Sequence, residues 1–219
     1  MKAKLHTPWT VLAILALVAA LSLTGADCAI SINTGSSSRD DEDDRDPTLV
    51  IGVGEGVLVD APVEGVQYES GSLHGITGPD GGFRYEAGGE VRFHIGDIAL
   101  GGPVPGKALV TPLDLVPGGR LDSPAVTNIA RLLQSLDAIP GDGRITVPAR
   151  VRERARRDNH ALSASLEHLD FTDDTFFVNS AAHLLAVLTH DYPHTAVLVD
   201  AAQARRHMRE VLRQRGVLH

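Results

Sequence analysis

Between Leu49 and Thr111 apolar and polar residues alternate, and clusters of Gly, Pro and Asp interrupt them every eight to twelve positions or so, the spacing of short strands in an all-β sandwich or barrel. Val57-Leu58-Val59 and Gly65-Val66-Gln67-Tyr68-Glu69 read as strands around the turn at Asp60-Ala61-Pro62. Gly78-Pro79-Asp80-Gly81-Gly82 is a dense turn, because Pro presets φ and Gly supplies positive φ. Phe83-Arg84-Tyr85 and Val91-Arg92-Phe93-His94-Ile95 alternate again, and Gly96-Asp97 can fold the second back into Ile98-Ala99-Leu100.

From Ser123 onward the period changes. Ser123-Pro124 offers an N-cap followed by a proline at the first helical position, where no donor is needed. Val126, Ile129, Ala130, Leu133 and Leu136 then share one helical face, and Pro140-Gly141-Asp142-Gly143 ends the run. Pro148 can start a second helix with Arg150, Arg152, Arg154, Arg156 and Arg157 along it. Thr172 is the expected N-cap of a third, with Phe171 and Phe176 as a hydrophobic staple and Ala181, Leu184, Leu185 and Leu188 as its buried stripe. Asp200 with Gln203 resembles a capping box for a fourth, on which Ala204, Met208, Val211 and Leu212 line one face before Gly216 closes it.

The N-terminus has a different pattern. Lys2 and Lys4 precede an uncharged, mostly apolar run from Trp9 to Leu23, which has the length of an export signal and is short for a spanning helix. The single cysteine, Cys28, follows in Leu23-Thr24-Gly25-Ala26-Asp27-Cys28. This resembles a bacterial lipoprotein signal, which implies Cys28 as the site of lipid attachment and first residue of the mature chain. Asp27 stands where such signals carry a small residue, and Gly25 where they favour Leu. Ordinary cleavage after Ala26, leaving a free thiol, is the alternative. Residues 29–48 read as a tether, polar at first and then dense in acids through Arg39–Asp46. Like charges extend such a segment, and its acids lack the spacing of a calcium loop.

The organisation expected is therefore a signal peptide at 1–27, an acidic flexible tether at 28–48, a β-sandwich-like domain at 49–122 and a helical segment at 123–219. Charge divides at the same boundary. From Cys28 to Asp122 sixteen acids face six bases, whereas from Ser123 on eleven acids face twelve arginines. Overall 28 acids against 20 Lys and Arg give a net charge of −8 over 219 residues, which argues against nonspecific nucleic-acid binding. With one cysteine no intrachain disulfide is possible.

Gly56–Tyr68 followed by Thr77-Gly78-Pro79-Asp80-Gly81-Gly82-Phe83-Arg84-Tyr85 resembles the carboxypeptidase-regulatory-like, or transthyretin-like, β-sandwich. With Val110-Thr111-Pro112-Leu113-Asp114-Leu115 and Asn128-Ile129-Ala130-Arg131-Leu132-Leu133-Gln134-Ser135-Leu136-Asp137, the chain is similar to bacterial surface lipoproteins of unassigned function. The resemblance implies an α+β fold: an N-terminal prealbumin-like β-sandwich packed with or followed by a C-terminal four-helix segment. It also implies a surface-exposed, non-enzymatic module with no catalytic residues to carry over.

Candidate chemistry is sparse. There is no nucleophile elbow, and Gly52-Val53-Gly54-Glu55-Gly56 leads into a strand rather than a helix, unlike a phosphate loop. Ser72 and His74 point to one side of an extended segment, without a third group to complete a triad. His183 and His190 lie seven apart on one helix face, with Asp191 and His194 beyond, but the spacing differs from the His-x-x-x-His of a helical metal pair. Arginines crowd the last helix without the aromatic residues that stack bases, so a solvated face partly paired to the acidic half is expected. No catalytic residue, metal site or cofactor is assigned. The expectation is an exported, lipid-anchored cell-envelope protein acting as a non-catalytic binding or structural module, in the outer membrane or periplasm. Its partners would be the membrane, through the N-terminal lipid or an uncleaved leader, and an envelope or surface component, and no nucleic acid. The alternative is a periplasmic hydrolase or metal-binding protein using His74 or the His183/His190/His194 group.

Overall fold

The computed structural model describes residues 52–218, so the leader, Cys28 and the acidic tether lie outside the described residues. Among the described residues three sheets and five helices make a mixed α+β architecture. In the first sheet β1 (Val53–Leu58) is central, antiparallel to β5 (Gly82–Glu86) and parallel to β9 (Leu109–Val110). The glycines of Gly52–Gly56 have a packing reason. Gly54 and Gly56 sit opposite Tyr85 and Phe83 in the register, and a Cβ at either would run into those rings. What looks in sequence like a loop composition is a strand covered by aromatic side chains.

The second sheet runs β4 (Leu73–Ile76), β3 (Gln67–Ser70), β6 (Glu90–Ile95), β7 (Ile98–Ala99), with β8 (Val104–Pro105) also paired to β6. Its inner residues Tyr68, Phe93 and Ile95 are buried, as the period-two pattern requires. The two sheets meet through aromatic rings: Phe83 lies 5.0 Å edge-on from Phe93 and 6.0 Å from Tyr68. Gly96 turns β6 into β7, as expected, at φ +58°. A Cβ there would strike the main-chain oxygens of Arg152 and Ala155, so the turn is pressed against a helix end.

The third sheet joins the halves. β2 (Val63–Glu64) pairs in parallel with β10 (Ile145–Thr146), which follows the first helix. That helix, α1 (Pro124–Ser135), is buried on nearly every side. Ile129, Leu132 and Leu133 enter a core that continues into Leu58, Val66, Phe93 and Ile95 of the sheets. Val126 and Ala130, beside them on the helix, pack on Ala204, Met208 and Leu212 of α5 (Ala201–Gln214). Burial on both faces leaves the polar residues of α1 inside, and each finds partners. Arg131 donates to Val199 O at 2.8 Å and to Asn128 and Asp174, while Asn128 donates to Phe171 O. Ser135 Oγ accepts from Val199 N. The Asn128–Asp137 motif thus ties the helices together, consistent with the rule that buried polar groups are bonded.

Two sequence expectations are corrected here. The helical half holds five helices rather than four, since the one-turn α3 (Ser163–Glu167) stands between α2 (Ala149–Arg154) and α4 (Asp174–Leu188). A turn of five residues is too short to show a helical period. The cap of α4 is Asp173 and not Thr172: the Asp173 carboxylate accepts from Thr175 N and Phe176 N, whereas Thr172 bonds to Asp170. The staple fails with it, because Phe176 is 55% exposed and Phe171 packs on Phe177 instead. Asp200 does cap α5, accepting from Ala202 N and Gln203 N. Among the described residues no helix is long and apolar enough to cross a membrane.

Candidate functional site

An open groove of about 720 Å³ runs along one side of α5. Gln203, His207, Val211 and Gln214 form its α5 wall, at the three- and four-residue spacing of one helix face. The loop from Asp137 to Ile145 and the segment His194–Val197 form the other sides, and Ala61, Pro62, Gln134 and Ser135 its floor.

Beneath that floor lies the most perturbed carboxyl among the described residues. Asp60 is 1% exposed; its Oδ2 accepts from Gln134 Nε2 at 2.9 Å, and its Oδ1 has no partner. Burial pushes the carboxyl up to about 8, against the opposing pull of the Gln134 hydrogen bond, so it is protonated at neutral pH. The next residue, Ala61, holds φ +73°, the one non-glycine positive φ among the described residues. It closes a tight turn between Val59 and Pro62, which bridge. A left-handed Ala costs about 1–2 kcal/mol; the turn is tied by Ile145 N to Pro62 O at 2.9 Å and clasped from α5, where His207 Nε2 donates to Asp60 O at 2.9 Å. The acceptor is a carbonyl, so Nε2 carries the proton and Nδ1 is left as an acceptor.

The charged groups lining the groove are mostly engaged locally. Arg144 Nε bonds Asp142 at 2.8 Å and Arg144 Nη1 lies 3.6 Å from Glu64. Asp137 Oδ1 accepts from Ile139 N and Thr146 N, and Glu210 accepts from Gln214. The Arg144 and Asp137 contacts hold the loop in shape. A smaller depression of about 370 Å³ lies at β1 and β5, between Glu55, Asp80 and Arg84.

The histidines singled out in the sequence are not brought together with one another. His183 is exposed and its Nε2 donates to Ala161 O, while His190 Nδ1 donates to Val187 O. His194 lies in the groove wall against the Tyr192 ring at 5.4 Å. Asp191 turns to Arg154 at 2.8 Å and Arg150 at 3.0 Å, and the Arg154 hydrogen bonds hold its carboxyl down at about 2. Ser72 Oγ donates to Glu86 rather than to His74, which is exposed opposite Glu69. Among the described residues no group of three or more His, Cys, Asp or Glu stands where it could hold a metal ion.

The sequence leads one to expect the arginines of α5 to pair partly with the acidic half, and among the described residues none of them does. Arg205, Arg206, Arg209, Arg213 and Arg215 have no carboxylate within 4 Å among the described residues. The halves are linked instead by Arg144 to Glu64, Arg152 to Gly65 O and His207 to Asp60 O. Asp60, Gln134 and His207 do not stand out in the sequence as candidates. One signal in the chain points to Asp60: an acid directly after the apolar run Val57-Leu58-Val59.

The chain matches no protein-family model, no curated protein and no solved structure.

Proposed function

We propose that this chain is an exported, lipid-anchored cell-envelope protein whose body is a non-catalytic binding module, with the groove along α5 as its receptor face. The observation that carries the reading is the groove. Its volume of about 720 Å³ lies in the range of ligand sites, and its lining mixes apolar floor residues with a few polar groups. Those polar groups are engaged in holding the wall, as Arg144 and Asp137 are, which suits recognition better than proton transfer.

The anchor rests on the sequence. Lys2, Lys4, the apolar run and Cys28 support export and acylation into the outer membrane or periplasmic face, and the acidic tether supports a body held off the bilayer. The prealbumin-like sandwich belongs to the same reading, supported by the meeting of Tyr68, Phe83 and Phe93 between two sheets. A hydrolytic or metal-handling role for His74, His183, His190 and His194 has less behind it, since His183 and His190 are each engaged singly by a carbonyl.

Two measurements test the proposal. Intact mass of the protein extracted from cell membranes should reveal a diacylglycerol on Cys28; an unmodified chain in the aqueous fraction would refute the anchor. Titration of the protein with oligosaccharide and peptide panels, followed by amide NMR, should move Gln203, His207 and Gln214, and Ala196→Trp should abolish that response. Shifts confined to other surfaces would refute the receptor face.

A further inference from the structure

The geometry points to an extended polypeptide, added as a strand beside Thr195–Leu198, as the occupant of this groove; the inference rests on the groove being a binding site as proposed above. Residues 195–200 contain no helix, turn or bend, and from Pro193 to Leu198 exposed and half-buried residues alternate, the period of a strand. Both ends of the segment are fixed to α1 or to Leu136, the residue that caps it. Tyr192 Oη donates to Leu136 O at 2.7 Å, and Val199 is gripped through its N–H by Ser135 and through its carbonyl by Arg131. Between these anchors the main-chain N–H and C=O groups of Thr195, Ala196, Val197 and Leu198 make no hydrogen bond to any described residue.

A pinned, strand-like segment with unsatisfied main-chain groups is the template that strand addition uses. Thr195, Ala196 and Val197 all line the groove, and Val197 is 70% exposed, the most exposed large apolar residue described. The facing wall on α5, from Gln203 to Gln214, spans about 16 Å at 1.5 Å per residue. That length takes about five residues of extended chain. The amide side chain of Gln203 faces the same space and suits a partner rich in main-chain donors and acceptors.

Charge and ring chemistry choose among the alternatives. The lining carboxylates, Asp137 and Glu210, are balanced by Arg144 and Arg215, so the groove offers no net attraction to a phosphate-rich ligand. It holds no Phe, Tyr or Trp, the flat faces on which sugar rings stack. A neutral polypeptide backbone is the chemistry left.

The test uses the full chain and heptapeptides selected against it from a random display library, resynthesised with acetyl and amide ends. Strand addition predicts that amide exchange at alternate residues of Thr195–Leu198 slows at least tenfold on binding. It also predicts that N-methylating alternate peptide residues weakens binding tenfold or more in one phase and little in the other. Peptides that shift Gln203 and His207 yet leave exchange at Thr195–Leu198 unchanged, or tolerate every N-methyl group, overturn strand addition while leaving the groove as a binding site. Strand addition is likewise overturned if oligosaccharides occupy the groove and no peptide does. If neither class occupies it, both the inference and the receptor face fall. Val197→Pro, which removes a donor from the segment, should abolish peptide binding, whereas Val197→Ala should retain it; because N-methylation acts on the peptide, the test stands even if the proline variant misfolds.

Discussion

His207 on α5 donates a hydrogen bond of 2.9 Å to the main-chain oxygen of Asp60, a residue 147 positions earlier in the chain. The contact joins the last helix to the turn that ends β1, and it fixes one wall of the groove against its floor. Asp60 is at once the acceptor of that clasp, the partner of Gln134 from α1 and a buried carboxyl with one free oxygen. Three segments converge on it.

The protonation of Asp60 gives stability a definite pH dependence. The folded chain keeps the proton up to about 8, whereas the unfolded chain releases it near 3.8. Between those values unfolding liberates a proton, so this group makes stability fall as pH rises from about 4 to about 8 and levels off above. Asp60→Asn mimics the neutral form and removes the dependence. Urea melts at pH 5, 7 and 9 should give a variant whose advantage over the parent grows with pH; parallel profiles would show that Asp60 is ionised in the fold.

Tyr192→Phe tests the anchor at the near end of the groove segment. It deletes the 2.7 Å bond to Leu136 O and leaves that carbonyl without its side-chain donor. The expected loss is about 1 kcal/mol. A denaturation midpoint unchanged within error would mean that water replaces the phenol at no cost.

Gly96→Ala should be the costlier change. The residue needs positive φ, and the added methyl would meet the carbonyls of Arg152 and Ala155. About 2 kcal/mol is expected, with Asp97, which bonds both Ala155 O and Arg157 N, displaced as well. Faster amide exchange at α2 than in the parent would trace the damage to that contact, and unaltered exchange there would contradict it.

Asp200→Ala removes the cap of α5, which accepts from Ala202 N and Gln203 N. The expected cost is about 1 kcal/mol, concentrated in the first turn, where Gln203 faces the groove. Helicity lost evenly along α5, or not at all, would argue that packing on α1 alone sets the helix start.

Much of the fold is legible in the chain because burial on one face imposes a period. The alternation of Val91–Ile95 and the stripe of Ala204, Met208 and Leu212 both reappear as buried positions. Elements of two residues, such as β2, β9 and β10, carry no period and stay hidden. Sequence pattern misplaces the cap of α4 by one residue because Thr172 and Asp173 are both suited to the role, and Asp170 captures Thr172 first. The groove is not legible at all. His207 reads as one more polar residue on an amphipathic helix, and His194 as one of a histidine series that the fold distributes among separate contacts.

By itself the sequence determined the strand-rich and helix-rich halves, the turns that glycine and proline enforce, and the buried faces of α1 and α5, because these follow from local φ preferences and side-chain spacing. Only the tertiary structure decided that α1 is buried on two sides, that Asp60 sits without charge beneath α5, and that Thr195–Leu198 is held between anchors beside an open groove. Those outcomes depend on desolvation and on contacts between residues far apart in the chain, and no local pattern encodes either.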